Sequence, residues 1–159
     1  MSAELLQALE IETAPDPRAS VIWLHGLGAD GNDFAPLAGE IELPCAVRYV
    51  FPHAPMMPVS INGGYVMRAW YDISDAAIRR EDEDGVRASQ RSVEALLARE
   101  KSRGVAAGRI VLAGFSQGGA LALPTGLRHA ARLACATSLS TYVPLSDCPS
   151  AAANPSHPP

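Results

Sequence analysis

The sequence predicts an α/β fold, a mostly parallel sheet with helices on both faces. Short apolar runs of strand length alternate with segments of helical period, the pattern that lays successive parallel strands into one sheet. Two of these runs, residues 21–24 and 110–113, pass directly into glycine-rich turns, Gly26-Leu27-Gly28-Ala29-Asp30-Gly31 and Gly114-Phe115-Ser116-Gln117-Gly118-Gly119. In a parallel sheet both turns fall at carboxyl ends of strands, where they can face one crevice.

Taken in order, Leu9, Ile11 and Thr13 alternate with Glu10 and Glu12, which predicts a short edge strand before the Pro15-Asp16-Pro17 turn. Residues 20–25 form the next strand. A helix is expected after the first glycine turn, capped by Asp33, with Phe34, Leu37, Ala38 and Ile41 at helical spacing. Residues 47–51 are a strand closed by Pro52. Residues 52–85 read as a long loop punctuated by prolines and by Gly63-Gly64; its Met, Val, Tyr and Trp side chains make it too apolar for disorder, so it should cover apolar surface. Residues 86–103 give the clearest helix: Val86, Gln90, Val93, Leu96 and Leu97 line one side, Arg87, Arg91, Glu94 and Glu100 are assigned to water, and Gly104 ends it. Pro124 predicts a kink or early end in the helix after Ser116, because it removes a backbone donor and crowds the carbonyl of Ala120. Residues 133–142 read as a further strand. The chain after Pro144 lacks periodicity and is expected to be disordered.

Length and composition narrow the function. At 159 residues with 48% hydrophobic side chains, one domain with a single core is expected. A formal net charge of -4 gives no electrostatic case for nucleic acid. Cys45, Cys135 and Cys148 have neither paired nor zinc-ligand spacing, and read as reduced thiols. The N-terminus carries Glu4, Glu10 and Glu12 where a signal peptide needs cations, and no apolar run reaches membrane-spanning length, so a cytoplasmic protein with no stable membrane insertion is expected.

The second glycine turn carries the chemistry. Gly114, Ser116 and Gly118 make a G-x-S-x-G pattern between a strand and a helix, where a strained serine is thrust out as a nucleophile and the flanking glycines admit neighbouring backbone. Acyl transfer also needs two donors where the oxyanion forms. The amide after the serine, Gln117, is one, and an amide of the first glycine turn, Leu27, is the other. A rival reading takes Gly26, Gly28 and Gly31 as a dinucleotide fingerprint. That site needs an acid at the end of the following strand, and residues 50–53 are Val-Phe-Pro-His. A plainer reading leaves the glycines as a tight turn and Gln117 as a helix start.

Residues 23–34 (WLHGLGADGNDF), 51–55 (FPHAP), 61–65 (INGGY), 70–72 (WYD), 113–120 (AGFSQGGA) and 139–142 (LSTY) together resemble the phospholipase/carboxylesterase family of bacterial carboxylesterases and acyl-protein thioesterases. The resemblance runs through residues 4–145. It implies an α/β-hydrolase fold, small acyl ester or thioester substrates and no cofactor or metal. It also implies Ser116 as nucleophile, Leu27 and Gln117 amides as the oxyanion hole, and residues 56–71 as part of the cover of the acyl cleft. In this fold the triad runs Ser, then Asp or Glu, then His. After residue 142 the family continues through strands that bear the acid and the histidine, whereas this sequence turns to Pro, Ser and Ala. The expectation is a partial α/β-hydrolase domain at residues 1–145 with its last strands missing, a disordered or divergent tail at 146–159, and impaired activity. Asp147 and His157 have the right types and order but no strand before them. His25 and His53 are read as loop-fixing, His129 as a helix-end cation, and Asp30 and Asp72 as structural carboxylates. The alternative is an inactive remnant that binds acyl groups or self-associates, as a homodimer or by edge pairing, through the strand at residues 133–142.

Overall fold

The computed structural model describes residues 4–74, 82–142 and 144. Five strands form one sheet in the order β1-β3-β2-β6-β7. They are β1 (Ala8–Glu12), β2 (Ala19–Leu24), β3 (Val47–Pro52), β6 (Ile110–Phe115) and β7 (Cys135–Leu139). All neighbours are parallel except β1, which pairs antiparallel with β3. The expected edge strand is therefore β1. β7 is shorter than residues 133–142 and, among the described residues, forms the other edge.

Alternation within β2 decides the two faces. Ile22 and Leu24 are buried on the face that receives α2 (Glu83–Ser102) and α3 (Gln117–Arg128), with Val93, Leu96, Leu97, Leu112 and Leu121. Val21 and Trp23 face the opposite layer with Phe34, Ala35 and Ala38. α2 is set by its termini: Asp82 Oδ1 accepts the Gly85 N–H at 3.0 Å, and Gly104 leaves the helix at φ 92°.

Four expectations need correction. The helix after the first glycine turn is a single turn, α1 (Leu37–Glu40), and Asp33 does not cap it. The chain reaches it through successive i→i+3 bonds, Asp33 N–H to Asp30 O and Leu37 N–H to Phe34 O among them, because Pro36 and Gly39 do not sustain an α-helix. Residues 52–85 are not a plain loop: β4 (Met56–Val59) and β5 (Tyr65–Arg68) form an antiparallel hairpin, turned by Gly63 and Gly64 at φ 68° and 80°. Val59, at the turn end of the hairpin, and Ala69, Trp70 and Tyr71, which follow β5, are buried, while Met56, Tyr65 and Val66 are exposed. Of the two outcomes expected at Pro124 the early end does not occur, since α3 continues to Arg128. Glu100 does not face water; it is fully buried.

Glu100 lies at the amino end of the parallel strands. Its carboxylate accepts from the Ser20 hydroxyl at 2.6 Å, Arg48 Nη1 at 2.8 Å and Arg103 Nη1 at 3.0 Å. Arg48 also pairs with Glu12, and Arg103 with Glu10, so the cluster fastens β1, β2 and β3 to α2. Cys45 and Cys135 are free and exposed; Cys148 and the tail from residue 145 lie outside the described residues. No helix among the described residues is long and apolar enough to cross a membrane.

Candidate active site

Ser116 stands between the end of β6 and the start of α3 at φ 53°, ψ -118°. A non-glycine residue pays roughly 1–3 kcal/mol for such a conformation, so its surroundings must impose it. They do so from both sides. The Ser116 N–H donates to Leu139 O at 2.8 Å, and the Thr141 hydroxyl donates to Ser116 O at 2.7 Å. The flanking glycines have the expected reason. A Cβ on Gly118 would enter the carbonyl oxygens of Leu24 and His25, and one on Gly114 would enter the Gly118 carbonyl. The first turn of α3 thus crosses the ends of β2 and β6 at backbone distance. Gln117 opens that helix, so its N–H is among those with no acceptor inside the helix.

The first glycine turn lies against the serine: a methyl on Gly26 would sit 3.5 Å from Ser116 Cβ. Leu27 follows Gly26 in this turn. Gly28, at φ 77°, donates its N–H to Arg68 O at 2.9 Å. Gly31 is confined by strand β3, since a Cβ there would strike the carbonyl of Phe51. Its N–H donates to His53 Nδ1 at 3.0 Å. The helix that follows is only the single turn α1, six residues beyond Gly31, so no helix N-terminus opens at the glycine turn to hold a pyrophosphate, which counts against the dinucleotide reading.

The Gln117 side chain has a role that sequence reasoning missed. Almost wholly buried, its Oε1 accepts the Trp70 N–H at 2.9 Å and its Nε2 donates to Tyr71 O at 2.9 Å. The Trp70 indole N–H donates to His25 O at 2.8 Å, and the Ser89 hydroxyl donates to Trp70 O. The sequence signal is only that a long amide follows the serine; its partners Trp70 and Tyr71 lie 47 and 46 residues away.

The histidines and acids occupy structural places. His25 is buried, with Nδ1 against Gly26 O at 2.8 Å and Nε2 accepting the Ala54 N–H at 3.0 Å. Burial holds its pKa below the ordinary value, so the ring is neutral, carrying its proton on Nδ1 and donating it to Gly26. His129 caps the C-terminus of α3 and pairs with Glu94 at 2.7 Å. Asp30 accepts the Asn32 N–H at 2.7 Å, which lowers its pKa. Asp72 accepts from the Ser60 hydroxyl and N–H, which lowers its pKa likewise. Among the described residues none hydrogen-bonds Ser116 Oγ; Asp147 and His157 lie outside them. A concavity of about 480 Å³ lies at the opposite end of the sheet, lined by Thr13, Ile41, Leu43 and Cys45 among others.

The state of His25 makes a pH prediction. The folded form disfavours its proton and the unfolded chain takes it up near pH 6.5, so this contribution is complete above that pH and declines as pH falls. Urea unfolding midpoints at pH 7.5 and 5.5 should differ in the wild type, and the difference should shrink in His25→Asn, which does not titrate; an equal difference in both would refute the assignment.

A strained serine between a parallel strand and a helix, with a glycine turn of a neighbouring strand beside it, has the strand–turn–helix geometry of the α/β-hydrolase fold's serine elbow. The family model described as Phospholipase/Carboxylesterase matches residues 7–157, and the chain belongs to that family. It is 40% identical over 145 residues to acyl-protein thioesterase 1 of Yarrowia lipolytica, covering 88% of this chain and 64% of that protein. With acyl-protein thioesterase 1 of Cryptococcus neoformans the identity is 39%, covering 88% of this chain and 61% of the relative. The crystal structure of Arabidopsis thaliana SOBER1 superposes with a TM-score of 0.74 at 33% identity, covering 80% of this chain and 63% of the other. Zea mays acyl-protein thioesterase 2 gives 0.72 at 28% identity, covering 86% and 63%. The chain thus spans a little over three fifths of the length of these relatives.

Proposed function

We propose that this chain carries the acylation machinery of a serine hydrolase acting on small acyl esters or thioesters. Ser116 Oγ attacks the acyl carbonyl; the N–H groups of Leu27 and Gln117 hold the oxyanion; collapse forms the acyl-serine and expels the alcohol or thiol. The Ser116 proton passes to a general base as the bond to the acyl carbon forms, and the β4–β5 hairpin supplies apolar contact for the acyl chain. The observation that carries this reading is the strained backbone of Ser116 beside the Gly26 turn. The thioesterase names of the relatives support the substrate class.

The test is p-nitrophenyl butyrate hydrolysis by the full chain beside Ser116→Ala, followed past one equivalent. The expected result is p-nitrophenol release that Ser116→Ala reduces at least 100-fold, in a burst of about one equivalent followed by slow turnover. Equal release by both proteins overturns the assignment. One observation favours a second reading, a non-catalytic remnant that binds acyl groups or self-associates along β7: no imidazole among the described residues reaches Ser116 Oγ. Equal release would leave that reading in place.

A further inference from the structure

The two amides assigned to the oxyanion hole belong to loops that are far apart in sequence, yet both are fastened to one short segment, Arg68 to Tyr71. On one side Arg68 O accepts the Gly28 N–H at 2.9 Å, and the Trp70 indole donates to His25 O at 2.8 Å. These two bonds bracket Gly26 and Leu27. On the other side Gln117 grips the same segment twice through its side-chain amide, at Trp70 N–H and Tyr71 O. Trp70 is fully buried and Gln117 nearly so, so water does not compete for these bonds.

We infer that Trp70 and the Gln117 side chain are positioning residues that fix the separation between the Leu27 and Gln117 amides. The inference rests on the acyl-transfer reading of Ser116. An oxyanion hole works through donors fixed before the charge forms; donors free to shift must reorganise during the reaction. The serine turn and the Gly26 turn each have contacts of their own; the bracket ties one to the other by making one main-chain segment the common reference for both. Ground-state ester binding does not depend on this separation, whereas the tetrahedral oxyanion does.

The experiment measures acylation of the full-length chain by p-nitrophenyl butyrate under burst conditions, resolving the acylation rate constant from the ester saturation constant. Trp70→Phe removes the indole donor along with part of the buried ring, and Gln117→Met removes the side-chain amide bonds at similar volume. Leu96→Ala, a core truncation away from the bracket, serves as a stability control. The expected result is an acylation rate constant lowered about tenfold or more in both bracket variants, with the saturation constant held within twofold. Affinity for phenylboronic acid, which forms a tetrahedral serine adduct, should fall by a matching factor. Leu96→Ala should lower the melting temperature and leave the rate constant within twofold of wild type. Unchanged acylation in a folded Gln117→Met or Trp70→Phe overturns the positioning role alone. An equal rate loss in Leu96→Ala also overturns it, since general loosening would then suffice. A wild type with no Ser116-dependent burst overturns the acyl-transfer reading and the positioning role with it.

Discussion

Gly118→Ala is expected to destabilise the chain by about 3 kcal/mol, the upper part of the range for forcing a methyl into a closed site. The added Cβ would meet the carbonyl oxygens of Leu24 and His25. Neither can yield easily, because Leu24 is paired with Gly114 in the sheet and His25 O accepts the Trp70 indole. The cost comes from contact alone, since Gly118 is not at positive φ. For a domain stable by roughly 5–15 kcal/mol this is a large fraction, and Ser116 would lose its geometry with it. Urea unfolding should show a much lower midpoint with an unchanged slope. Gly108→Ala, where a methyl meets nothing within 4 Å, should stay within about 0.5 kcal/mol of wild type. A Gly118→Ala midpoint equal to that of Gly108→Ala would refute the rigid crossing of α3 over β2.

Glu100→Ala should be comparably severe, at about 3–5 kcal/mol, because removing one member of a buried ionic cluster strands the others. Arg48 would lose its shorter ion pair, and the Ser20 hydroxyl its acceptor, in a site closed to water. Burial by itself raises the Glu100 pKa and is the largest single influence. The Ser20 hydroxyl with Arg48 and Arg103 together outweigh it and hold the carboxyl below its ordinary value. The folded state thus resists protonation more than the unfolded chain does. The contribution is complete above the ordinary carboxyl pKa of about 4.3 and is lost as pH falls through the lower folded value. Stability followed by urea unfolding should decline steeply below pH 4.5 in the wild type and more shallowly in Glu100→Gln. Parallel acid profiles would assign the decline to other carboxylates.

What could be read from residues alone divides along a physical line. The strands at 20–25, 47–51 and 110–113 and the elbow at Ser116 announce themselves by apolar runs and by glycines at fixed offsets. Local sterics dictate those features. Residue type sends Glu100 to water but its spacing does not: it lies seven residues after Val93, four after Leu96 and three after Leu97, on the buried stripe of α2. The helix expected from Phe34, Leu37, Ala38 and Ile41 had the spacing but not the backbone, since Pro36 and Gly39 leave one turn. In the β4–β5 hairpin the Gly63-Gly64 pair between two apolar runs was a usable turn signal, obscured by Pro58 within the first run. The grip of Gln117 on Trp70 and Tyr71, and of Thr141 on Ser116, had no local signal. Each depends on a loop brought in by the fold from far along the chain.

The strand order also sets a timetable for synthesis. β2 lies between β3, made soon after it, and β6, with Ser20 registered against Ile110. At a translation rate of roughly 5–20 residues per second, the β1-β3-β2 portion spends several seconds outside the ribosome with one apolar strand edge unmatched. Throughout that interval the partner strand of β2 has yet to be polymerised, and premature pairing with another nascent chain is the competing outcome. The serine turn closes last, because its anchors Leu139 and Thr141 follow β6 in synthesis. The strained turn at Ser116 is therefore completed only after most of the described chain has been synthesised.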